Sequence, residues 1–299
     1  VSVEIAAAAG QDGNAMRRDT SSTKPFGWTG VPVPAVGQGT WHMGESRRAR
    51  AREVAALRLG FDLGLTHVDT AEAYGNGGAE EVTAEALRGR RRSEIFLVSK
   101  VMPQNASRAG TIRAAEQSLR RLGTDHLDLY LLHWPGRHPI GETMAAMEEL
   151  VAAGKIRFIG VSNFDVAEMR EAIGTLARER LACNQVPYNL AQRDIERDLI
   201  PFCAEWGVAV VGYTPFGGFP RSRSRGLDAL EEIARRHGKT ARQIVLRFLT
   251  RQPNVFAIPK AVATEHVREN AGAASFDLDP SDLEAIDRAF PGPGGKAPR

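Results

Sequence analysis

The chain has 299 residues, 42% of them hydrophobic, and carries a formal charge of +3. That content suits one large core, a single α/β barrel commonly needing about 250 residues, so no second full domain is required. No apolar run approaches the ~18 residues of a membrane span, and the arginine clusters at 47–52, 88–92 and 221–225 lack stacking aromatics, so they read as solvated faces rather than a nucleic-acid surface.

Residues 1–22 are rich in Ala, Gly, Asp, Asn, Ser and Thr without a sustained period; a poorly ordered leader is expected there, with Met16 as a candidate natural start. The apolar stretch Ile5 to Ala9 is too short, and has no basic residue before it, to read as a secretion signal. Cys183 and Cys203 are expected to be reduced thiols of a cytoplasmic protein. From Phe26 to Trp41, closely spaced Gly, Pro and Val predict a turn or short hairpin and then a first strand near 35–38. A helix follows over about 46–64, where Ala49, Val54, Leu57, Phe61 and Leu65 recur near helical spacing.

The pattern then repeats: strand 66–69, helix 78–89, strand 95–99, helix 108–122, strand 127–132, helix 141–153, strand 157–160 and helix 165–177. Strand 182–186, helix 195–206, strand 208–212, helices 227–237 and 240–251, strand 255–258 and helix 264–272 complete it. Eight strands alternating with helices predict an α/β fold, a closed (β/α)8 TIM barrel occupying 23–290 as a single catalytic domain. A further helix near 281–290 is placed outside the barrel, and 291–299 is expected to be a flexible tail. The rival architecture, a doubly wound sheet, needs Gly-x-Gly-x-x-Gly after its first strand. Gly37-Gln38-Gly39-Thr40-Trp41-His42 lacks the third glycine, and the chain has no phosphate-binding Gly-x-x-x-x-Gly-Lys-Ser/Thr loop.

Polar groups stand where predicted strands stop. Asp69 and Tyr74 follow the second strand, Lys100 the third and His133 the fourth, and in a parallel barrel those ends share one face. A phenol with a reference pKa near 10 is a sluggish acid at neutral pH. An ammonium beside it lowers that pKa, and a carboxylate keeps the ammonium charged, which makes Lys100 and Asp69 the natural partners of Tyr74. His133 then orients a carbonyl, suiting delivery of a hydride to carbon and a proton to oxygen. A lysine at a strand end also fits a Schiff-base aldolase. No metal is expected.

Several motifs occur together in one order: Gly64-Leu65-Thr66-His67-Val68-Asp69-Thr70-Ala71-Glu72-Ala73-Tyr74-Gly75, Ser99-Lys100-Val101, Leu132-His133-Trp134-Pro135, Gly154 through Phe164, and Ile258-Pro259-Lys260. Along residues 26–290 the chain resembles the aldo-keto reductases. The resemblance implies a barrel that binds NADPH, or NADH, without a Rossmann domain, with Tyr74 as acid, Lys100 and Asp69 tuning it and His133 at the carbonyl. It further implies that Ser162, Asn163 and Gln185 hold the nicotinamide carboxamide and that Tyr213 stacks on the ring. Gly39, Thr40, Thr214, Pro215 and Phe216 would complete that half, Lys260 would meet phosphate, and His266, Arg268 and Asn270 would lie at the adenosine end. Trp41 and Trp134 would line an open, apolar pocket for a small-molecule carbonyl substrate. Ala261 and His266 stand where members that prefer NADPH carry Ser or Thr and Arg, leaving the choice of cofactor open, with Arg221, Arg223 and Arg225 as candidate replacement charge. A monomer is expected, and a nicotinamide-binding redox sensor with little turnover is the alternative reading.

Overall fold

The structure, a computed structural model, describes residues 23–220, 222 and 224–294. The expected leader, Arg221, Arg223 and residues 295–299 of the tail lie outside the described residues. An antiparallel hairpin comes first, β1 (Thr23–Pro25) against β2 (Pro32–Pro34). Eight parallel strands follow: β3 (Gln38–Gly39), β4 (His67–Asp69), β5 (Phe96–Val101), β6 (Leu127–Leu132), β7 (Ile156–Ser162), β8 (Leu181–Pro187), β9 (Ala209–Tyr213) and β10 (Val255–Ala257). They are hydrogen-bonded in chain order.

The sheet closes on itself just before β3. Val36 bridges Ala257 in parallel, the Gly37 N–H donates to the Ala257 carbonyl at 2.8 Å, and the Ala257 N–H donates to the Ala35 carbonyl at 2.9 Å. The expected first strand at 35–38 is therefore shared: 35–37 face the last strand, and 38–39 pair with β4. Closure removes both sheet edges.

Among the described residues ten helices surround the sheet: α1 (Arg50–Asp62), α2 (Gly78–Leu87), α3 (Arg108–Leu122), α4 (Ile140–Ala152), α5 (Val166–Thr175), α6 (Leu199–Glu205), α7 (Arg225–His237), α8 (Ala241–Leu249), α9 (Thr264–Ala271) and α10 (Pro280–Ala289). Helix α3 fills its predicted span because both ends are signalled: Ser107 accepts from the Gly110 N–H, and Gly123 leaves in a left-handed conformation at φ 64°. The expected helix 195–206 is shorter. A separate 3-10 turn occupies Asp194–Glu196, and α6 starts at Leu199. Pro201 accounts for the difference, since its missing N–H is tolerated only in a first turn.

Strand alternation sorts side chains between two cores. Phe96, Val98, Leu129, Leu131, Cys183, Ala209, Val211 and Phe256 fill the barrel interior, while Val68, Leu97, Val101, Tyr130, Leu132 and Val161 face the helices. The hairpin plugs the amino-terminal end. Phe26, fully buried, packs its ring 4.9 Å from Phe96, 5.0 Å from Phe256 and 6.1 Å from His67. Lys24 Nζ ties the hairpin to the rim by donating to the carbonyls of Thr250, Gln252 and Val255. Members of the arginine clusters are matched by acids, Arg50 with Glu81 and Glu85, Arg90 with Asp62, and Arg92 with Asp128. No helix of the described residues is long and apolar enough to cross a membrane.

Candidate active site

The alternation that buries Val98 and Leu131 carries the next inward positions to the carboxyl ends of the strands. Asp69 closes β4, Lys100 lies one residue before the end of β5, and His133 directly follows β6. Ser162 ends β7, Gln185 lies two residues before the end of β8, and Tyr213 ends β9. Tyr74 arrives differently. It opens a 3-10 turn, Tyr74–Gly77, in which Gly75 (φ 57°) and Asn76 (φ 51°) are left-handed, folding the chain back over the mouth. A Cβ on Gly75 would stand 2.9 Å from the Met43 carbonyl, so glycine is required there for close approach as well as for φ.

Lys100 is the hub. Its ammonium donates to both carboxylate oxygens of Asp69 at 2.7 Å, to the Thr70 carbonyl at 2.9 Å and to the Tyr74 hydroxyl at 3.2 Å. Burial alone would lower the lysine pKa, but Asp69 and Tyr74 more than offset it, and the net shift is upward. The ammonium is therefore charged. Tyr74 departs from expectation: burial raises its pKa more than the neighbouring Lys100 lowers it, so the phenol is held protonated rather than poised as phenolate. Burial, with Lys100 adding to it, depresses His133 to about 3, which makes it a neutral imidazole at physiological pH. Its ring packs edge-on to Tyr74, 5.7 Å between centroids.

Beside this cluster lies a polar cradle. Asn163, left-handed at φ 62°, donates to the His133 carbonyl at 3.0 Å and to Ser162 Oγ at 3.1 Å, and accepts from the Tyr213 hydroxyl at 2.7 Å. Ser162 donates to the Gln185 carbonyl at 2.8 Å, and Gln185 Nε2 donates to Asp69 Oδ1 at 2.7 Å. Most of these donors are thus used within the protein, the exception being the second N–H of Gln185 Nε2. Acceptor capacity also remains on Ser162 Oγ, Asn163 Oδ1 and Gln185 Oε1, all on residues that line the cavity.

The family profile described as the aldo/keto reductase family matches residues 35–290. The chain belongs to that family. It is 49% identical over 268 residues to the methylglyoxal reductase YeaE of Escherichia coli strain K12, covering 89% of this chain and 94% of that one. It is 33% identical over 260 residues to the glyoxal reductase of Bacillus subtilis strain 168, covering 86% of this chain and 89% of the relative. Among solved structures, an aldo/keto reductase from Klebsiella pneumoniae in complex with NADP and acetate is 48% identical, with a TM-score of 0.86 over 92% of this chain and 98% of that one. The enzyme is therefore a carbonyl-reducing oxidoreductase with a (β/α)8 barrel.

In this reductase a cavity of about 950 Å³ opens over the cluster, lined by Asp69, Tyr74 and His133 and also by Thr214, Pro215, Phe216 and Lys260. Gly39, Trp41, Trp134, Ser162, Asn163, Gln185 and Tyr213 also line it. Trp41 and Trp134 remain 56% and 39% exposed, leaving the rim open. Five predicted residues stand off the wall, Lys100 among them, fully buried behind Asp69 and Tyr74. Thr40 is buried, its hydroxyl donating to the Asp69 carbonyl at 2.9 Å, where it braces the strand end. His266 and Arg268 are exposed on α9, and Asn270 is buried on the same helix. Gly217, Gly218 and Phe219, in the loop 216–225 that the resemblance sets over the cofactor, line the cavity too, as does Ile258, which was not singled out. Ile258 was within reach, since it continues the inward parity of Phe256; the residues at 217–219 carried no periodic signal.

Proposed function

We propose that the reductase uses NADPH to reduce small aldehydes and ketones, 2-oxoaldehydes among them, with Tyr74 as proton donor. The observation that carries this reading is the single ammonium of Lys100 held between the Asp69 carboxylate and a protonated Tyr74 hydroxyl, beside a neutral imidazole. Bound NADPH would supply the hydride. Tyr74 donates its proton to the carbonyl oxygen as that atom gains charge, a contribution typically worth ~10² to 10⁴ in rate. Lys100 stabilises the phenolate left behind, and Asp69 keeps Lys100 charged and fixed. Neutral His133 aims the carbonyl by donating an N–H to its oxygen, which a charged imidazolium so close to Lys100 would do only at a steep electrostatic cost.

The donor and acceptor set fits the cofactor. Spare acceptors on Ser162, Asn163 and Gln185 exceed the two N–H groups of a carboxamide NH2, the second Gln185 N–H suits its carbonyl, the Tyr213 ring offers a flat face, and Lys260 lies exposed on the lining for phosphate. The relatives named for methylglyoxal and glyoxal, and the neighbour holding NADP, support the same choice. We further propose a cytoplasmic monomer acting without nucleic acid, a reading supported for the compartment by both cysteines being free buried thiols. The aldolase reading fares worse. A Schiff base needs a neutral amine, whereas Lys100 donates to Asp69, Thr70 and Tyr74 and has a raised pKa.

The test is oxidation of NADPH and of NADH by purified protein with methylglyoxal, glyoxal and a panel of aromatic aldehydes. Turnover with NADPH faster than with NADH is expected. No turnover with any pair, while NADPH still binds, would favour the redox-sensor reading instead.

A further inference from the structure

Beyond the cavity wall, the first turn of α8 holds a cation whose ion pair, to Glu269, is long and not hydrogen-bonded. The Arg242 guanidinium carbon lies 3.6 Å from the ring centroid of Phe216 and 5.9 Å from that of Phe219. Both phenyl rings line the cavity, and they meet edge to face with centroids 6.3 Å apart. Arg242 Nε is buried and has no hydrogen-bond partner among the described residues. The facing carboxylate oxygen of Glu269 stands 3.6 Å away, outside hydrogen-bond range, and 28% of the arginine side chain remains exposed. A planar, weakly hydrated cation with one face on a phenyl ring and an unused Nε–H is a poor surface charge but a good stacking platform.

A second unmatched group lies on the neighbouring helix. Asn270 is buried, and its Oδ1 accepts nothing among the described residues. Helices α8 and α9 are tied here by Gln243 Nε2 donating to the Glu269 carbonyl at 3.0 Å, so Arg242 and Asn270 flank the same turn around Glu269. One donor and one acceptor are therefore left unmatched behind the cavity wall, next to Phe216 and between α8 and α9. Adenine presents the complement, an exocyclic amine that donates beside a ring nitrogen that accepts, together with a π-face that stacks on guanidinium.

We propose that Arg242 binds the adenine of the dinucleotide, stacking the base on the face of a guanidinium backed by Phe216. This rests on the NADPH reading above and adds a residue to it. The phosphates of the cofactor are the anionic parts that Arg242 could meet instead, and Glu269 argues against them: a carboxylate 3.6 Å from the cation repels a phosphate but tolerates a neutral base. Exposed Lys260, on the cavity rim, is the better phosphate partner.

Three ligands separate these roles when binding is followed by fluorescence: NADPH, NADH and reduced nicotinamide mononucleotide, which lacks adenosine. Arg242→Leu keeps apolar bulk over Phe216 but removes the plane and the donors; Arg242→Lys keeps the charge and removes the plane. Both variants are expected to bind NADPH and NADH less tightly by the same factor, roughly 3- to 30-fold for a partly desolvated cation–π contact, and to bind the mononucleotide as wild type does. Weakening of NADPH alone would assign Arg242 to the 2′-phosphate and overturn the proposal. Equal weakening of all three would make it a support of the loop, and no change in either variant would leave it no role in binding; each of these outcomes also overturns it. Failure of the wild type to bind either dinucleotide would instead remove the cofactor reading itself.

Discussion

Replacing Tyr74 with phenylalanine removes one oxygen and tests the chemistry with little disturbance to the fold. Lys100 has three N–H donors and four oxygen acceptors, at 2.7, 2.7, 2.9 and 3.2 Å, and the tyrosine hydroxyl is the most distant of them. Without it, three donors still meet three acceptors, so the stability cost should be no more than about 1 kcal/mol, the net worth of an ordinary hydrogen bond. The catalytic cost is much larger. Neutral His133 is depressed to about 3 and is too weakly basic to be protonated and take over as the acid. Loss of general acid catalysis by ~10² to 10⁴ corresponds to about 2.7 to 5.5 kcal/mol on the barrier. Steady-state oxidation of NADPH with methylglyoxal, cofactor titration by fluorescence and urea unfolding would read the three quantities separately. Unchanged kcat in Tyr74→Phe would refute the assignment, as would a fall in kcat matched by lost cofactor binding.

Lys100→Met should be far more damaging to the fold than Tyr74→Phe, because it strands the buried Asp69 carboxylate; a loss of about 3 to 5 kcal/mol in urea unfolding is expected, as for other broken buried pairs. Phe26→Ala should cost about 3 to 5 kcal/mol by emptying the barrel plug, yet leave kcat per folded molecule unchanged, since the plug lies at the end opposite the site. Burial depresses His67 and His133 to about 3 from an ordinary 6.5, with Lys100 contributing to both shifts. Below pH 6.5 the unfolded chain then binds protons that the native state refuses. The stability these groups contribute is complete above pH 6.5 and lost as pH falls toward 3, at up to about 1.4 kcal/mol per pH unit for each group. His67→Leu should flatten that acid limb in unfolding curves measured across pH, and an unaltered slope would show that His67 does not titrate there.

The barrel was legible because its signals are local and repeated. Ser107 and Gly123 mark both ends of α3, and the apolar run of β6 fits a strand buried on both faces. Position along each strand also placed Asp69, Lys100 and His133 at one end. Boundaries slipped where a local feature competed with period, as at Pro201, or where one segment pairs with two different neighbours, as at 35–39.

Protonation states and hydrogen-bond partners could not be read the same way, because they depend on what lies across space. Lys100 adjacent to Tyr74 suggested a lowered phenol pKa, but burial by the surrounding residues outweighs that charge. Thr40 braces Asp69 instead of facing the cavity, and Arg242 reaches Phe216 from a helix 26 positions along the chain with no motif to announce it. Sequence by itself determined which residues face inward and at which end of the barrel they stand, since period and chain direction are properties of the backbone. Only the tertiary structure decided which of them touch, how deeply each is removed from water and therefore which carry charge, because desolvation and Coulomb energy depend on distances that barrel closure alone creates.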